Sequence, residues 1–362
     1  PGQGTTPVPE ASAPPATPTP TAASSAPVTT TPLASAYPGQ PAGVPFPTVE
    51  WAVGALPAGV DQAVIDAAVD AAFGAPDAEA RVRSIVVVKG GQIVYERYHP
   101  LDGPDVVYDS YSVAKSFTSA LVGMLVADGR LTLDEHPPRP EWATPGDPRQ
   151  AITLRQLLQM SSGLEWTEAY GPGSLVGVMS TAPDAAAVMA AQPLESEPGS
   201  TFEYSTGTTT LIAGIVADAL GSCEAEIAYL DERLLDPIGI TTDQLLTDGR
   251  GCWMGGYGAN MTTRDFARFG LLYLRGGLWE GRPIVPTSWI DESRTAAATN
   301  PMYGLQWWLR PDGRAFSAEG LFGQRIVVVP EADLVVAVNT TMGGDAVTLV
   351  DAVLGAFGVP MA

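Results

Sequence analysis

Lysine is almost missing from this sequence. Of 19 basic residues only Lys89 and Lys115 are lysines, the rest being arginine. Histidine is equally scarce: His99 and His136 are the only two, and each precedes a proline in a turn-like context. A serine nucleophile served by histidine is therefore disfavoured, and no G-x-S-x-G elbow occurs. Cysteine is limited to Cys223 and Cys252, outside any C-x-x-C pattern, which argues against a thiolate metal site. The acids show no metal-ligand spacing, and no phosphate-binding glycine loop appears, so no metal or cofactor is expected. No apolar run reaches the roughly 18–20 residues a membrane span needs. A net charge of −21 sets nucleic acid aside as a partner and disfavours anionic membranes and strongly acidic substrates.

What is present indicates a globular protein. The 362 residues are 45% hydrophobic, enough for one large domain or two ordinary ones. Residues 1–48 differ: they hold 13 of the 33 prolines, with Thr, Ala and Ser between them and Glu10 as the sole charge. Such a composition cannot bury enough apolar surface to offset ordering entropy, and it reads as a disordered spacer or a dispensable tail. The chain begins at Pro1 without a visible signal peptide, which reads as a processed or trimmed end. The expectation is a secreted or cell-surface protein. Cys223 and Cys252 then form either one disulfide or two buried thiols; the disulfide would contribute about 3–4 kcal/mol by chain entropy.

SIVVVK (84–89) and QIVYERY (92–98) flank a Gly-Gly turn and read as a hairpin. Ser112 to Asp128 reads as a helix stopped at Gly129, and helical patterns recur at 153–160, 182–191, 208–220 and 263–275. Strand signals return at 303–309, 314–319, 324–329 and 333–339, before a closing helix at 345–356. In WW (307–308) the rings alternate faces, so one belongs to the core. The fold class is α+β: an antiparallel sheet built from both chain ends with flanking helices, plus a mostly helical inserted lobe. The predicted divisions are a spacer at 1–48, an α/β lobe from 49–134 and 262–362, and a helical lobe at 135–261. A ligand crevice is expected between the lobes.

The stretch YSVAKSF (111–117) places one of the two lysines three residues after Ser112, one helical turn away on the same face. A serine hydroxyl needs a base, and a lysine whose pKa is lowered by burial and by a helix N-terminus can be one. Coincidence also produces S-x-x-K, though less readily where lysine is so rare.

The surrounding segment SVAKSFTSALVGMLVADGRLTLDE resembles the nucleophile region of the serine β-lactamase and penicillin-binding-protein superfamily. Four further stretches share the resemblance in the family's order: ITLRQLLQMSSGLEW (152–166), EPGSTFEYSTGTTTLIAGIVADALG (197–221), NMTTRDFARFGLLYLRGGLWEGRPIVP (260–286) and GLFGQRIVVVPEADLVVAVN (320–339). The branch they resemble contains class C β-lactamases, related esterases and 6-aminohexanoate-dimer hydrolases. The resemblance implies Ser112 as acylated nucleophile, Lys115 as general base and Tyr204 as proton relay; on its own, Tyr204 would read as a core aromatic. It implies backbone N–H groups of Ser112 and Leu321 as the oxyanion hole. Thr206 stands at the third position of the tyrosine element. Where the family usually carries Lys or His, Thr or Ser, then Gly, this chain has Ala318, Glu319 and Gly320, so the cation is lost and penicillin turnover is in doubt. Tyr170, with Trp166 and Ser162, lies in the loop at and after QMSSG, where the alternatives are substrate contacts and ordinary loop packing. Thr206, Tyr170, Glu319 and Gly320 are the substrate-binding candidates.

The reading is a serine hydrolase of small carboxylic esters or short amides, aminohexanoate oligomers included, acting through an acyl-enzyme. A β-lactamase or D-peptidase is the alternative, and a non-catalytic penicillin-binding-like receptor the alternative outside catalysis. The expected partner is a small ester or amide. Nothing in the sequence specifies an oligomeric state.

Overall fold

A computed structural model describes residues 37–74, 81–242 and 244–359. The chain enters through helix α1 (Gln62–Phe73), whose Ile65, Val69 and Phe73 recur at helical spacing on one buried stripe. Asp61 caps it by accepting from the Ala63 N–H. The hairpin β1 (Val82–Lys89) and β2 (Gln92–Tyr98) follows, then a short β3 (Val107–Tyr108). A 3-10 turn over Tyr111–Val113 leads into α2 (Ala114–Ala127). The helical middle holds α3 (Leu154–Leu158), α4 (Leu175–Met179), α5 (Ala185–Ala190), α6 (Thr206–Leu220) and α7 (Cys223–Leu230). β4 (Met261–Thr262) pairs with β3 and opens α8 (Thr263–Leu274); the small hairpin β5 (Leu278–Trp279) and β6 (Arg282–Pro283) precedes α9 (Thr287–Ser293). The chain closes with β7 (Trp308–Leu309), β8 (Phe316–Glu319), β9 (Arg325–Val329), β10 (Leu334–Thr340) and α10 (Ala346–Ala356).

Six strands form one antiparallel sheet in the order β2-β1-β10-β9-β8-β7, so the early hairpin pairs with the last strand. Both faces of β1, β9 and β10 are covered, which is why these strands read as continuous valine-rich runs rather than apolar–polar alternation. Ile85, Val87, Val327, Val336 and Val338 pack with α1 and α10, while Val86, Val88, Ile326, Val335 and Ala337 face the core that holds α2 and α8. That second core continues without a break into α3, α5 and α6, so sheet and helical middle share it. At its centre α2 is buried from Ala114 to Leu125. Its hydroxyls are satisfied by carbonyls of surrounding segments: Ser116 donates to Gln306, Thr118 to Gly255 and Ser119 to Leu305.

Three expectations need correction. Of the stretch 1–48 read as a spacer, residues 1–36 lie outside the described residues, and 37–48 pack against the domain. Tyr37 donates to Asp291, the Pro47 carbonyl accepts from Arg268, and the Phe46 ring lies 4.9 Å from that of Trp279. Aromatic anchors and a backbone carbonyl bound to Arg268 order this proline-rich segment without helix or strand. Residues 303–309 are not one strand: Gln306 takes φ +63°, and the run folds back so that Tyr303 bridges Trp308. The predicted helix at 112 begins with its first turn wound tighter, as noted above. Trp307 is the core member of its pair, at 0% exposure.

Cys223 and Cys252 form a disulfide. Beside it Glu226 is wholly buried, its Oε2 accepting from the Trp253 N–H at 3.1 Å. Its Oε1 has no partner among the described residues. Burial pushes this carboxyl up to about 8, with Asp248 and Asp218 adding to the rise and Arg250 opposing it. The folded protein thus keeps a proton that the unfolded chain releases near the ordinary glutamate value. Stability should fall as pH rises from about 4.5 to about 8, by on the order of 1 kcal/mol per pH unit, and level off above. Glu226→Gln cannot ionise and should flatten that slope in melting temperatures recorded across the interval. An identical slope in the variant would place the titrating group elsewhere.

Candidate active site

The segment that carries Ser112 is fastened before the serine is reached. Val107 and Tyr108 pair with Thr262 and Met261, the Ser110 N–H donates to Asn260 Oδ1, and Ser110 Oγ accepts from the Ala259 N–H. Tyr111 then adopts φ +43°, a left-handed conformation costly for a non-glycine residue. It turns the chain sharply into the 3-10 turn and leaves Ser112 at the N-terminal end of α2.

Lys115 points back along the helix, which is buried on every side. Its Nζ donates to Ser112 Oγ at 2.9 Å, to Thr206 Oγ1 at 3.0 Å and to the Gly256 carbonyl at 2.9 Å. At 1% exposure it is wholly inside the protein. Burial pushes the ammonium down to about 8, and the carboxylate of Glu168 pulls it partly back up. Around neutral pH roughly a tenth of such a lysine is free amine, with a serine hydroxyl already at hydrogen-bond distance.

Tyr204 completes the group. Its ring centroid lies 5.0 Å from Lys115 Nζ; Trp308 stacks against it at 5.5 Å, and Tyr303 meets it edge-on at 6.0 Å. Burial pushes its phenol above the ordinary tyrosine value, while hydrogen bonding with Ser112 pulls the other way. Tyr204, predicted from a separate stretch, is thus brought together with Ser112 and Lys115.

Thr206 accepts from Lys115 and donates to Glu168 Oε1 at 2.5 Å. Glu168 also takes the Thr206 N–H, the Trp166 indole and the Tyr170 hydroxyl. Desolvation alone would raise its pKa, but Lys115 and the hydrogen bonds from Thr206 and Tyr170 outweigh it and hold the carboxyl below its usual value. Glu168 and Gly256 escaped the sequence reading. One acid among 40 Asp and Glu residues, and one glycine of a Gly-Gly-Tyr-Gly run, carry no signal of their own. The second shows itself only through packing: a Cβ at Gly256 would meet the Thr206 carbonyl at 2.5 Å. The segment that brings this carbonyl to Lys115 is anchored by the disulfide at Cys252 and by Glu226 at Trp253.

On the opposite wall, β8 ends at Glu319 and the chain passes through Gly320 into Leu321. Gly320 lies so close to the nucleophile segment that a Cβ would approach the Ser110 carbonyl to 2.6 Å. Gln324 locks the loop from behind, linking Asn339 and the backbone of Thr340. Ser112 and Leu321 border one cavity of about 850 Å³, together with Thr206, Tyr257 and residues 170–181. The wall draws on sheet-side and helical segments alike, where the lobes were expected to meet.

Not every candidate reaches that wall as expected. Tyr170 lines the cavity, yet its hydroxyl is committed to Glu168. Gly320 shapes the close approach rather than the cavity lining. Glu319 is held by Arg325 at 2.9 Å and by the Ser317 hydroxyl, because alternate strand residues turn to the same face. It is near enough to Tyr204 to raise that phenol, but its carboxylate is already paired. Ala318, where the family carries a cation, is buried. Ser162 is buried away from the cavity, accepting from the Leu164 N–H.

Known proteins resemble this chain in sequence and in fold. A family model described as Beta-lactamase matches residues 69–352. The chain is 27% identical over 296 residues to the 6-aminohexanoate-dimer hydrolase of Paenarthrobacter ureafaciens, covering 72% of this chain and 74% of that one. Among solved structures, a D-stereospecific amidohydrolase from Streptomyces sp. superposes with TM-score 0.62 at 21% identity, covering 81% of this chain and 98% of the other. A penicillin-binding protein homologue from Caulobacter crescentus gives TM-score 0.65 at 18% identity, with 84% and 99% covered. At those identities the two structures show a shared fold.

The Glu168–Thr206–Lys115 chain makes a testable statement. Removing the negative charge in Glu168→Gln should lower the pH at which Lys115 loses its proton. A titration of the lysine by NMR after selective isotopic labelling measures this directly. An unmoved midpoint would show that Glu168 positions Thr206 without acting on the lysine.

Proposed function

The chain belongs to the Beta-lactamase family and is a hydrolase with that family's fold, and from that premise we propose that it cleaves small carboxylic esters or short amides through an acyl-enzyme on Ser112. The observation that carries the reading is the 2.9 Å hydrogen bond between a fully buried Lys115 Nζ and Ser112 Oγ. Neutral Lys115 takes the hydroxyl proton as Oγ bonds to the substrate carbonyl carbon. The backbone N–H groups of Ser112 and Leu321 receive the developing oxyanion. Tyr204, kept as a phenol by its raised pKa, gives its proton to the departing alkoxide or amine and recovers one from the Lys115 ammonium. Water, deprotonated by the same pair, then attacks the acyl carbonyl, and Ser112 leaves with its proton restored.

A pure binding role has no use for a desolvated lysine on a serine hydroxyl. Penicillin turnover is disfavoured by the buried Ala318 and the paired Glu319 at the position of the family's cation. The Cys223–Cys252 disulfide supports a working place outside the reducing cytosol, secreted or at the cell surface. Two titratable thiols in denatured, unreduced protein would count against it.

Intact mass after exposure to p-nitrophenyl butyrate tests the central claim: a butyryl adduct should form on Ser112 and decay with turnover. Ser112→Ala should abolish both at an unchanged melting temperature. Lys115→Arg should lose nearly as much activity as Lys115→Ala, because guanidinium stays protonated. In wild type, kcat/KM should rise about tenfold per pH unit below a midpoint near the lysine's value of about 8, since only neutral Lys115 is a base. A rate already at plateau near pH 6 would mean another base. Tyr204→Phe should spare activated esters more than amides, whose leaving groups need the proton.

A further inference from the structure

The cavity beside Ser112 is large for the acyl groups of the smallest esters. At about 850 Å³ it lies in the upper part of the range that holds drug-sized ligands. Its wall is also unusual in charge: the lining residues include no Asp, Glu, Lys, Arg or His, in a protein of net charge −21. The acids beside the lining residues are already engaged. Glu168 accepts from Trp166, Tyr170 and both groups of Thr206, Asp109 beside Tyr111 accepts from Asn260, and Glu319 is paired with Arg325. An ammonium in the cavity would meet no carboxylate among the lining residues, and a carboxylate there would meet no cation among them. Burying either without a partner is strongly unfavourable.

The apolar surface is concentrated at the reacting end. Tyr111 precedes the nucleophile and Phe322 follows the proposed oxyanion donor Leu321. Both adopt left-handed backbone, φ +43° and +65°, and their rings meet edge-to-face at 5.3 Å. Two strained residues flanking the two halves of the oxyanion site hold one aromatic wall between them. Tyr257 and the exposed Val178 also line the cavity.

We propose that the substrate is uncharged and presents a large apolar group, a medium-length alkyl or an aryl acyl chain, to this wall, and that chains ending in an amine or a carboxylate are rejected. The inference rests on the acyl-enzyme reading and specifies its substrate class. A 6-aminohexanoate unit then falls on the rejected side.

The test is a set of p-nitrophenyl esters with one leaving group: acetate, hexanoate, decanoate and benzoate, then 6-aminohexanoate and adipate as chains of similar length ending in ammonium and carboxylate. The expected order places kcat/KM for hexanoate at least tenfold above acetate, and at least tenfold above each charged ester. Val178→Asp, at a position 44% exposed, should raise the 6-aminohexanoate-to-hexanoate ratio at least tenfold. Mass spectrometry of Ser112 separates the two levels of the argument. Acylation by every ester with a flat or charge-preferring series overturns the substrate class and leaves the hydrolase intact. If no ester acylates Ser112, the hydrolase reading fails and takes the substrate class with it.

Discussion

A lysine inside a hydrophobic core is the constraint on which the rest of this structure turns. Ammonium groups are rarely buried unless paired, and Lys115 gains its three acceptors from three different places: its own helix, the start of α6 and the loop at Gly256. None is a carboxylate. The charge is therefore stabilised incompletely, and the same incompleteness pushes the proton off toward neutral pH. Adding a direct carboxylate contact would hold the proton on Lys115 and so remove the proposed base. Glu168 is kept one hydroxyl away, behind Thr206, where it moderates the effect without cancelling it.

Much of the remaining architecture holds those acceptors in place. The early hairpin, the last strand and the central helix pack as one unit because β1, β10 and every side of α2 are buried. The Gly256 carbonyl has no such support from regular structure. Its loop is tied instead by a disulfide, a buried protonated acid and the Gly255 carbonyl contact with Thr118. The loop carrying Leu321, the proposed oxyanion donor, is held comparably by Gln324 and a close approach that only Gly320 permits. Irregular segments bearing the chemistry are thus fixed by polar and covalent contacts, while the regular elements supply apolar packing.

Charge separates this site from the bulk of the molecule. The surface is strongly acidic, yet the cavity lining carries no formal charge. The family's cation has been replaced by Ala318, packed inside, and Glu319, whose carboxylate is neutralised by a neighbouring strand. On the proposed reading, selection rests on shape and apolar area, with two aromatic residues in costly backbone conformations at the wall.

Local pattern was enough for much of this protein. Valine-rich runs around Gly90 and Gly91 and the helical periodicity at 263–275 depend on near neighbours and are legible directly. The i, i+3 spacing of Ser112 and Lys115 is local too, and the scarcity of lysine made it visible. Tyr204 needed the resemblance of a longer stretch. Other features arise from contacts between residues far apart in sequence, which periodicity does not record. They include the ordering of 37–48 by Arg268 and Trp279, the fold-back at Gln306, and the commitment of Glu319 to Arg325. The approach of Glu168 and Gly256 to a lysine they do not resemble or neighbour is of the same kind. The sequence by itself determined which groups could react and which elements would carry them. Tertiary structure alone decided the pKa of the base and the neutrality of the cavity, because desolvation and charge pairing depend on what packs around a group.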